Sequence, residues 1–299
     1  MADGVVIETA ELRKDYDGVE AVRGLNLRVP TGSIFGFLGR NGAGKTSTIK
    51  VLLGMARPTS GRVRVFGLPA DEQEASVAIR SRTGFVSEER DLYDYLTVEQ
   101  TIRFTADFFP RWRGELQQQY LRAFGLPLDR KIKALSRGMR TKLALLLALC
   151  RGAELLILDE PTSGLDPAAT EEVLQALVKH VAAEEMTVFF SSHQIAEVDQ
   201  IADHIAIIDA GRTVIAGALD DIRENFRRVQ FVFDGAAPDV TFRSPGAGRV
   251  RRDGRVLTVL ASAGAAGVIE EARAFGPVSV DVVPVTLKEI FLETVTVEA

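Results

Sequence analysis

Cysteine is nearly absent from this sequence, one residue in 299. A disulfide-built scaffold is thereby excluded. The one thiol, Cys150, lies in an apolar helical run and reads as a core residue of a protein kept in a reducing compartment. Long apolar runs are missing too. Leu143 to Cys150 is among the longest, far short of the roughly 20 residues a bilayer-spanning helix needs. Strong charge of one sign is absent: the formal net charge is −5, so nothing electrostatic favours nucleic acid, and no nucleic-acid partner is expected. The opening Met-Ala-Asp-Gly has neither a basic n-region nor an apolar h-region, so no secretory signal is expected. There is no long repeat and no low-complexity tract. What remains is ordinary globular composition, 46% hydrophobic and 26% charged, in a length suited to one large domain and a small one.

One stretch dominates what is present. Gly39-Arg40-Asn41-Gly42-Ala43-Gly44-Lys45-Thr46 fits G-x-x-x-x-G-K-[ST], the phosphate-binding loop. A short apolar strand, Ser33 to Leu38, precedes it, and a helical pattern from Thr46 to Met55 follows. A triphosphate is a concentrated negative charge. Backbone N–H groups at a helix N-terminus point at it, and glycines let the chain wrap closely. Lys45 supplies a point charge for the β- and γ-phosphates, and the Thr46 hydroxyl can ligate Mg²⁺. Nucleotide contacts are expected from Gly39, Asn41, Gly42, Ala43, Gly44, Lys45, Thr46 and Ser47.

Along the chain, Val5–Leu12 and Val19–Val29 alternate as strands, with Tyr16 in the turn between them. Residues 62–66 and 82–87 read as further strands. From Glu88 to about Arg151 the pattern is helical, clearest at Val98–Phe108 and Glu115–Phe124, and Leu135 to Met139 opens a helix ending near Cys150. Leu155 to Leu158 is a continuous apolar run, as in a parallel strand buried on both faces. Helix 168–184, strand 187–191, helix 194–202 and strand 204–208 then alternate, which argues a parallel sheet covered on both sides. Composition changes near Asn225. Beyond it come strands at Val229–Phe233 and Val240–Phe242, a hairpin at Asp253-Gly254, a helix near Ala265–Phe275, a strand near 278–283 and a last helix at Leu287–Thr294.

Asp159-Glu160 stands at the carboxyl end of the apolar strand, where open α/β sheets bind ligands. Asp159 is placed to hold Mg²⁺, and Glu160 to orient or deprotonate an attacking water.

These features in this order resemble the ATP-binding subunits of ABC transporters, over roughly residues 5–222. Leu135-Ser136-Arg137-Gly138-Met139 is similar to their LSGGQ signature. Leu155 through Asp166 resembles their Walker B motif and D-loop, Ser191-Ser192-His193 their switch-histidine loop, and Tyr16 the aromatic residue that stacks on adenine. The resemblance implies an α/β P-loop NTPase: a RecA-like parallel sheet, N-terminal antiparallel strands and an inserted helical subdomain at about 88–151. The ATP-binding domain would span 1–223, with an accessory α+β domain at 224–299. It implies two ATP-binding subunits, identical or different, arranged head to tail. Ser136 and Gly138 would then face the partner's nucleotide, Asp166 of the D-loop would be a further nucleotide contact, and His193 would hydrogen-bond the γ-phosphate and the attacking water. It also implies transmembrane permease subunits on a separate chain, and so a place at the cytoplasmic face of the membrane.

Two motifs depart from the family pattern. Glu88 stands where Gln is usual, in Glu88-Glu89-Arg90, and reads either as a Mg²⁺ ligand or as a solvated acid. Arg137 and Met139 replace Gly and Gln in the signature, as in the ABC-2-type exporter group, whose tails the terminal Leu287 to Leu292 also resembles. Ser136 on its own is equally an N-cap. His180 and His204 read as structural. Phe108 to Trp112 suits core packing or contact with a membrane subunit, and Arg249, Arg251, Arg252 and Arg255 suit a solvated hairpin or anionic lipid. A non-transport ABC ATPase would usually carry tandem cassettes or a coiled-coil insertion, and neither is here. Glu160 and His193 together argue against a regulator without turnover, and the lack of an N-K-x-D motif argues against GTP. The expectation is therefore an ATPase, using ATP and Mg²⁺, that powers an exporter.

Overall fold

The computed structural model describes residues 4–184, 186–262 and 265–295. Packing divides the chain into one unit up to Ala216 and a second from Gly217. The division falls seven residues before the boundary expected from composition.

The first unit opens with an antiparallel hairpin, β1 (Val5–Tyr16) and β2 (Val19–Pro30). β3 (Ile34–Gly39) and α1 (Lys45–Leu52) carry the glycine loop between them. β4 (Ser60–Val65) and the two-residue β5 (Leu68–Pro69) complete a four-stranded sheet in the order β2-β1-β4-β5. α2 (Gln73–Arg82) follows, a helix the sequence barely announces: only Ser76 and Ile79 are buried, so it has almost no apolar stripe.

β6 (Thr83–Val86) then leads to a helical insertion of α3 (Val98–Ala106), α4 (Gly114–Ala123) and α5 (Arg137–Cys150). The helical pattern expected from Glu88 begins only at Val98, where Thr97 and Gln100 form a reciprocal capping box. β7 (Leu155–Asp159), α6 (Pro167–Glu184), β8 (Thr187–Ser192), α7 (Ile195–Ile201) and β9 (His204–Asp209) alternate as their apolar runs require. β10 (Arg212–Ala218) contains the division between the units.

The second sheet runs β10-β9-β3-β8-β7-β6, with β9, β3, β8, β7 and β6 parallel. Every residue of β3, β7 and β8 is buried, the signature of central parallel strands covered on both faces. The register is decisive for function. Leu38 pairs Ser192, Asp159 pairs Ser191, and Val86 pairs Leu158. Four adjacent strands therefore end level, and the four loops beyond them meet at one edge. Apolar side chains from both sheets and α1 share a core in which Phe189 lies 5.7 Å from Phe35 and 5.1 Å from Phe37.

In the second unit, α8 (Leu219–Asn225) precedes β11 (Arg227–Val232), β12 (Ala247–Asp253), β13 (Val256–Ala261), α9 (Ala266–Ala272), β14 (Ser279–Pro284) and α10 (Leu287–Thr294). The antiparallel sheet has the order β12-β13-β11-β14, its hairpin turning at Gly254. Val229, Phe231, Leu257 and Val259 pack with Val268 and Ala272 of α9. The strand expected at Val240–Phe242 is a loop. Pro238 and Pro245 flank it and withhold backbone donors, while Phe242 packs on Phe231 at 6.0 Å without joining the ladder. Arg251 and Arg252 of the hairpin ion-pair with Glu293 and Asp239 at its exposed surface.

Candidate functional site

The glycine loop leaves β3 at Gly39 and enters α1 at Lys45. Gly44 has φ +99°, and a Cβ there would stand 2.3 Å from the carbonyl oxygen of Ala21 on β2, so no other residue fits. The same stretch of β2 is stitched on further. Arg23 N donates to Gly211 O at 2.8 Å, and Gly211 N donates to Ala43 O at 3.2 Å. No side chain caps α1, so its first-turn N–H groups are not satisfied by a cap.

Lys45 is only 6% exposed. Its ammonium donates to Gly39 O at 2.8 Å and Arg40 O at 3.2 Å, and stands 3.0 Å from Glu160 Oε1. That last contact is an ion pair by distance but not an aligned hydrogen bond. Glu160 Oε1 therefore keeps a buried acceptor position with no donor on it. The other oxygen, Oε2, lies 2.8 Å from His193 Nδ1. Lysine, glutamate and histidine thus form one continuous chain across the ends of β3, β7 and β8.

Glu160 has a left-handed backbone, φ 48°. Just before it, Asp159 is buried, and its Oδ1 accepts the Ser191 hydroxyl at 2.6 Å. The same hydroxyl accepts Glu160 N–H at 3.0 Å. One serine on β8 fixes both acids at the end of β7.

A cavity of about 310 Å³ opens over this group, lined by Asn41, Gly42, Gly44 to Ser47, Glu88 and Glu160, with Ala21 at its side. A larger cleft of about 600 Å³ is lined by Thr46, Glu88 and Asp159 together with Phe85, Leu92, Phe109 and Leu147. The smaller cavity has the cation and backbone donors a phosphate needs, whereas the larger is mostly apolar. Tyr16 ends β1 outside both linings, half-exposed beneath the Lys14 ammonium at 4.5 Å from its ring centre.

The signature residues stand apart from this cavity. Ser136 caps α5, accepting Met139 N–H at 3.2 Å. Gly138 lies in the first turn of α5, and Asp166 Oδ1 accepts Ala169 N–H at 2.9 Å at the start of α6. None of the three lines the smaller cavity. Arg137 reaches the Asp159–Asp166 segment instead, its Nη2 donating to Ser163 Oγ at 3.4 Å. Glu88 is exposed, with Ser163 Oγ 3.5 Å from its Oε1.

Three side chains given no role of their own above join the site. Ser191 does so through the β7–β8 pairing. Arg90 is 5% exposed, and burial, then the Arg137 charge, lowers its affinity for its proton. Glu197 of α7 is buried, and burial pushes its carboxyl above the usual carboxylate range, with the Glu160 charge acting in the same sense. Its Oε2 accepts Thr162 Oγ1–H at 2.6 Å and Ser192 Oγ–H at 2.9 Å. Arg90 sits in the charged run Glu88-Glu89-Arg90 and Glu197 carries a charge in a short helix, so neither residue type signals burial. Of the aromatic stretch, Phe108 is 65% exposed and packs edge-on to Phe104, so core packing does not account for it. His180 is buried beside Tyr120 and His204 opens β9, both away from the cavity.

Residues 22–163 match the family described as ABC transporter. The chain is 35% identical over 225 residues to the bacitracin transport ATP-binding protein BcrA of Bacillus licheniformis, covering 75% of this chain and 73% of that one. It is 37% identical over 223 residues to the daunorubicin/doxorubicin resistance ATP-binding protein DrrA of Streptomyces peucetius, covering 73% and 67%. A solved ATP-binding subunit of an ABC transporter superposes with a TM-score of 0.66 at 28% identity, over 73% of this chain and 92% of the other. With its glycine loop, paired acids and histidine meeting at one sheet edge, this chain belongs to the ABC transporter ATP-binding proteins and is an ATPase.

Proposed function

We propose that this chain powers an exporter, with Glu160 as the base of ATP hydrolysis and His193 as its partner. The Lys45–Glu160–His193 chain at the phosphate loop is the observation that carries the reading. Residues 1–223 would do the nucleotide chemistry, and 224–299 would be accessory.

Gly39 to Ser47 cradle the triphosphate, with Lys45 on the β- and γ-phosphates. The phosphates compete with Glu160 for the Lys45 ammonium. Once Lys45 turns to them, the Glu160 carboxylate is free to take a proton from water as it attacks the γ-phosphate. His193 holds that carboxylate through Nδ1 and hydrogen-bonds the γ-phosphate. Tyr16 stacks on adenine.

The donor set suits Mg²⁺. Thr46, Asp159 and Glu88 offer hard oxygens in one cleft. Among the described residues no group of three or more His, Cys, Asp or Glu could hold a metal alone. Such a sparse set fits an ion that keeps waters and shares substrate phosphates. When bound, Mg²⁺ would neutralise charge developing on the phosphates.

Ser136, Gly138 and Asp166 lie off the Lys45 cavity. This supports a head-to-tail pair of ATP-binding subunits, in which they meet the nucleotide held by the other. Among the described residues no helix is long and apolar enough to cross a membrane, so membrane subunits on another chain would hold this one at the cytoplasmic face. Exposed Tyr93, Tyr95, Phe104 and Phe108 offer them an aromatic surface. Export as the direction is supported by relatives named for bacitracin transport and for daunorubicin/doxorubicin resistance.

The test is Glu160→Gln, which keeps the shape and removes the base. ATP binding is expected to be kept or to tighten, since Lys45 loses a competing charge, while turnover falls at least about 100-fold, the scale of general base catalysis. Steady-state turnover near the wild-type rate would remove Glu160 from this role.

A further inference from the structure

Glu160 is a left-handed residue with a Cβ, a conformation that persists only where the surroundings impose it. Two short hydrogen bonds close the turn after it, Ser163 N to Glu160 O at 3.1 Å and Leu165 N to Thr162 O at 3.0 Å. These shape the turn but do not anchor it.

The anchors come from elsewhere in the chain. Arg90 also has a left-handed backbone, φ 53°, and its side chain runs inward. Nη2 donates to Pro161 O at 3.0 Å and lies 3.3 Å from Glu160 O and 3.4 Å from Ser163 O, while Nη1 donates to Glu88 O at 2.7 Å. Nη2 serves all three turn carbonyls and Nη1 the carbonyl of Glu88, so the two prongs of the guanidinium tie the turn to the loop after β6, which a single ammonium does not do. Burying a cation on carbonyl oxygens is costly, which argues that its place is used. Glu197 takes the turn by its hydroxyl, through Thr162, and takes Ser192, the residue before His193, with the same oxygen.

We propose that Arg90 and Glu197 are positioning residues. Arg90 holds the Glu160–Ser163 turn by its carbonyls, and Glu197 registers that turn to the strand end carrying His193. Together they set where the Glu160 carboxylate stands. The inference rests on Glu160 being the base.

Arg90→Lys and Thr162→Val test it in the full chain. The first readout is amide exchange without nucleotide. Ser163 and Leu165 should exchange at least about tenfold faster in each variant, while Ile157 and Phe189 in the sheet stay as in the wild type. The second is steady-state hydrolysis, where kcat should fall at least about tenfold with the KM and Kd for ATP within about twofold, because the phosphate loop is untouched. Unchanged exchange at the turn, or kcat within twofold of wild type, overturns the proposal. So does faster exchange throughout the sheet with kcat and affinity falling together, since that is general destabilisation. If Arg90→Lys does not fold, Thr162→Val carries both readouts. Glu160→Gln run alongside separates the two ideas. Wild-type turnover there sinks the base assignment, while the exchange arm still judges the hold on the turn.

Discussion

Removing one oxygen from the centre of the first unit should be expensive. Ser191 is fully buried and its hydroxyl serves both acids at the end of β7. Ser191→Ala leaves Asp159 Oδ1 without that donor and Glu160 N–H without its acceptor. Each orphaned buried group costs about 1–3 kcal/mol, more when the partner is charged. The cleft beside Asp159 lets water recover part of this, so the expected loss is about 2–4 kcal/mol. Urea unfolding followed by the fluorescence of Trp112, the sole tryptophan, reads the first unit directly. The midpoint should fall while the slope stays constant. Thr213→Ala is the control, since its hydroxyl donates to Asn26 O at the surface and should cost under about 1 kcal/mol. A Ser191→Ala loss no larger than the control's would refute the claim that this hydroxyl fixes the two acids.

Tyr16→Ala should raise the KM for ATP with little change in kcat, because stacking on adenine is shared by ground and transition states; a large fall in kcat at saturating ATP would contradict this. Lys45→Ala and Ser136→Arg should each be inactive alone, yet mixing them should restore part of the turnover and give an ATP-dependent hybrid dimer on size exclusion. No hybrid dimer and no recovery would count against the head-to-tail pair. Burial pushes the Cys150 thiol up to about 12, so a thiol reagent at pH 8 should label the unfolded chain and spare the folded one. The sign for stability follows. The unfolded thiol ionises from about 8.5, so this contribution is complete below that pH and lost as pH climbs towards 12. Fast labelling of the folded chain would contradict the burial.

The parallel core was legible because β3, β7 and the middle of β8 are apolar runs, β3 leading into the glycine loop and β7 ending at an acid. The sequence was less informative wherever meaning depends on a neighbour in space. Glu88-Glu89-Arg90 looks like a solvated charge run, yet the backbone at Arg90 turns its side chain inward while Glu88 and Glu89 stay exposed. Glu197 is a charged residue in a short helix, and only the level ends of β7 and β8 bring Thr162 and Ser192 to it. Val240 and Phe242 alternate like a strand, but the prolines beside them decide otherwise.

The stitching of β2 to the phosphate loop bears on when the site is made. Ala21 abuts Gly44, and Gly211 bonds both Arg23 and Ala43. The loop is therefore completed by a turn that follows all the motifs in the chain. Closing that contact spans most of the first unit, so it gives up chain entropy that local helix formation does not. During synthesis, a chain extended only through His193 already carries the glycine loop, both acids and the histidine. It still lacks the backbone partner at Gly211 that ties β2 to the glycine loop. The stitch that holds β2 on the glycine loop is thus completed late, as the turn at Gly211 docks, rather than when the lysine emerges.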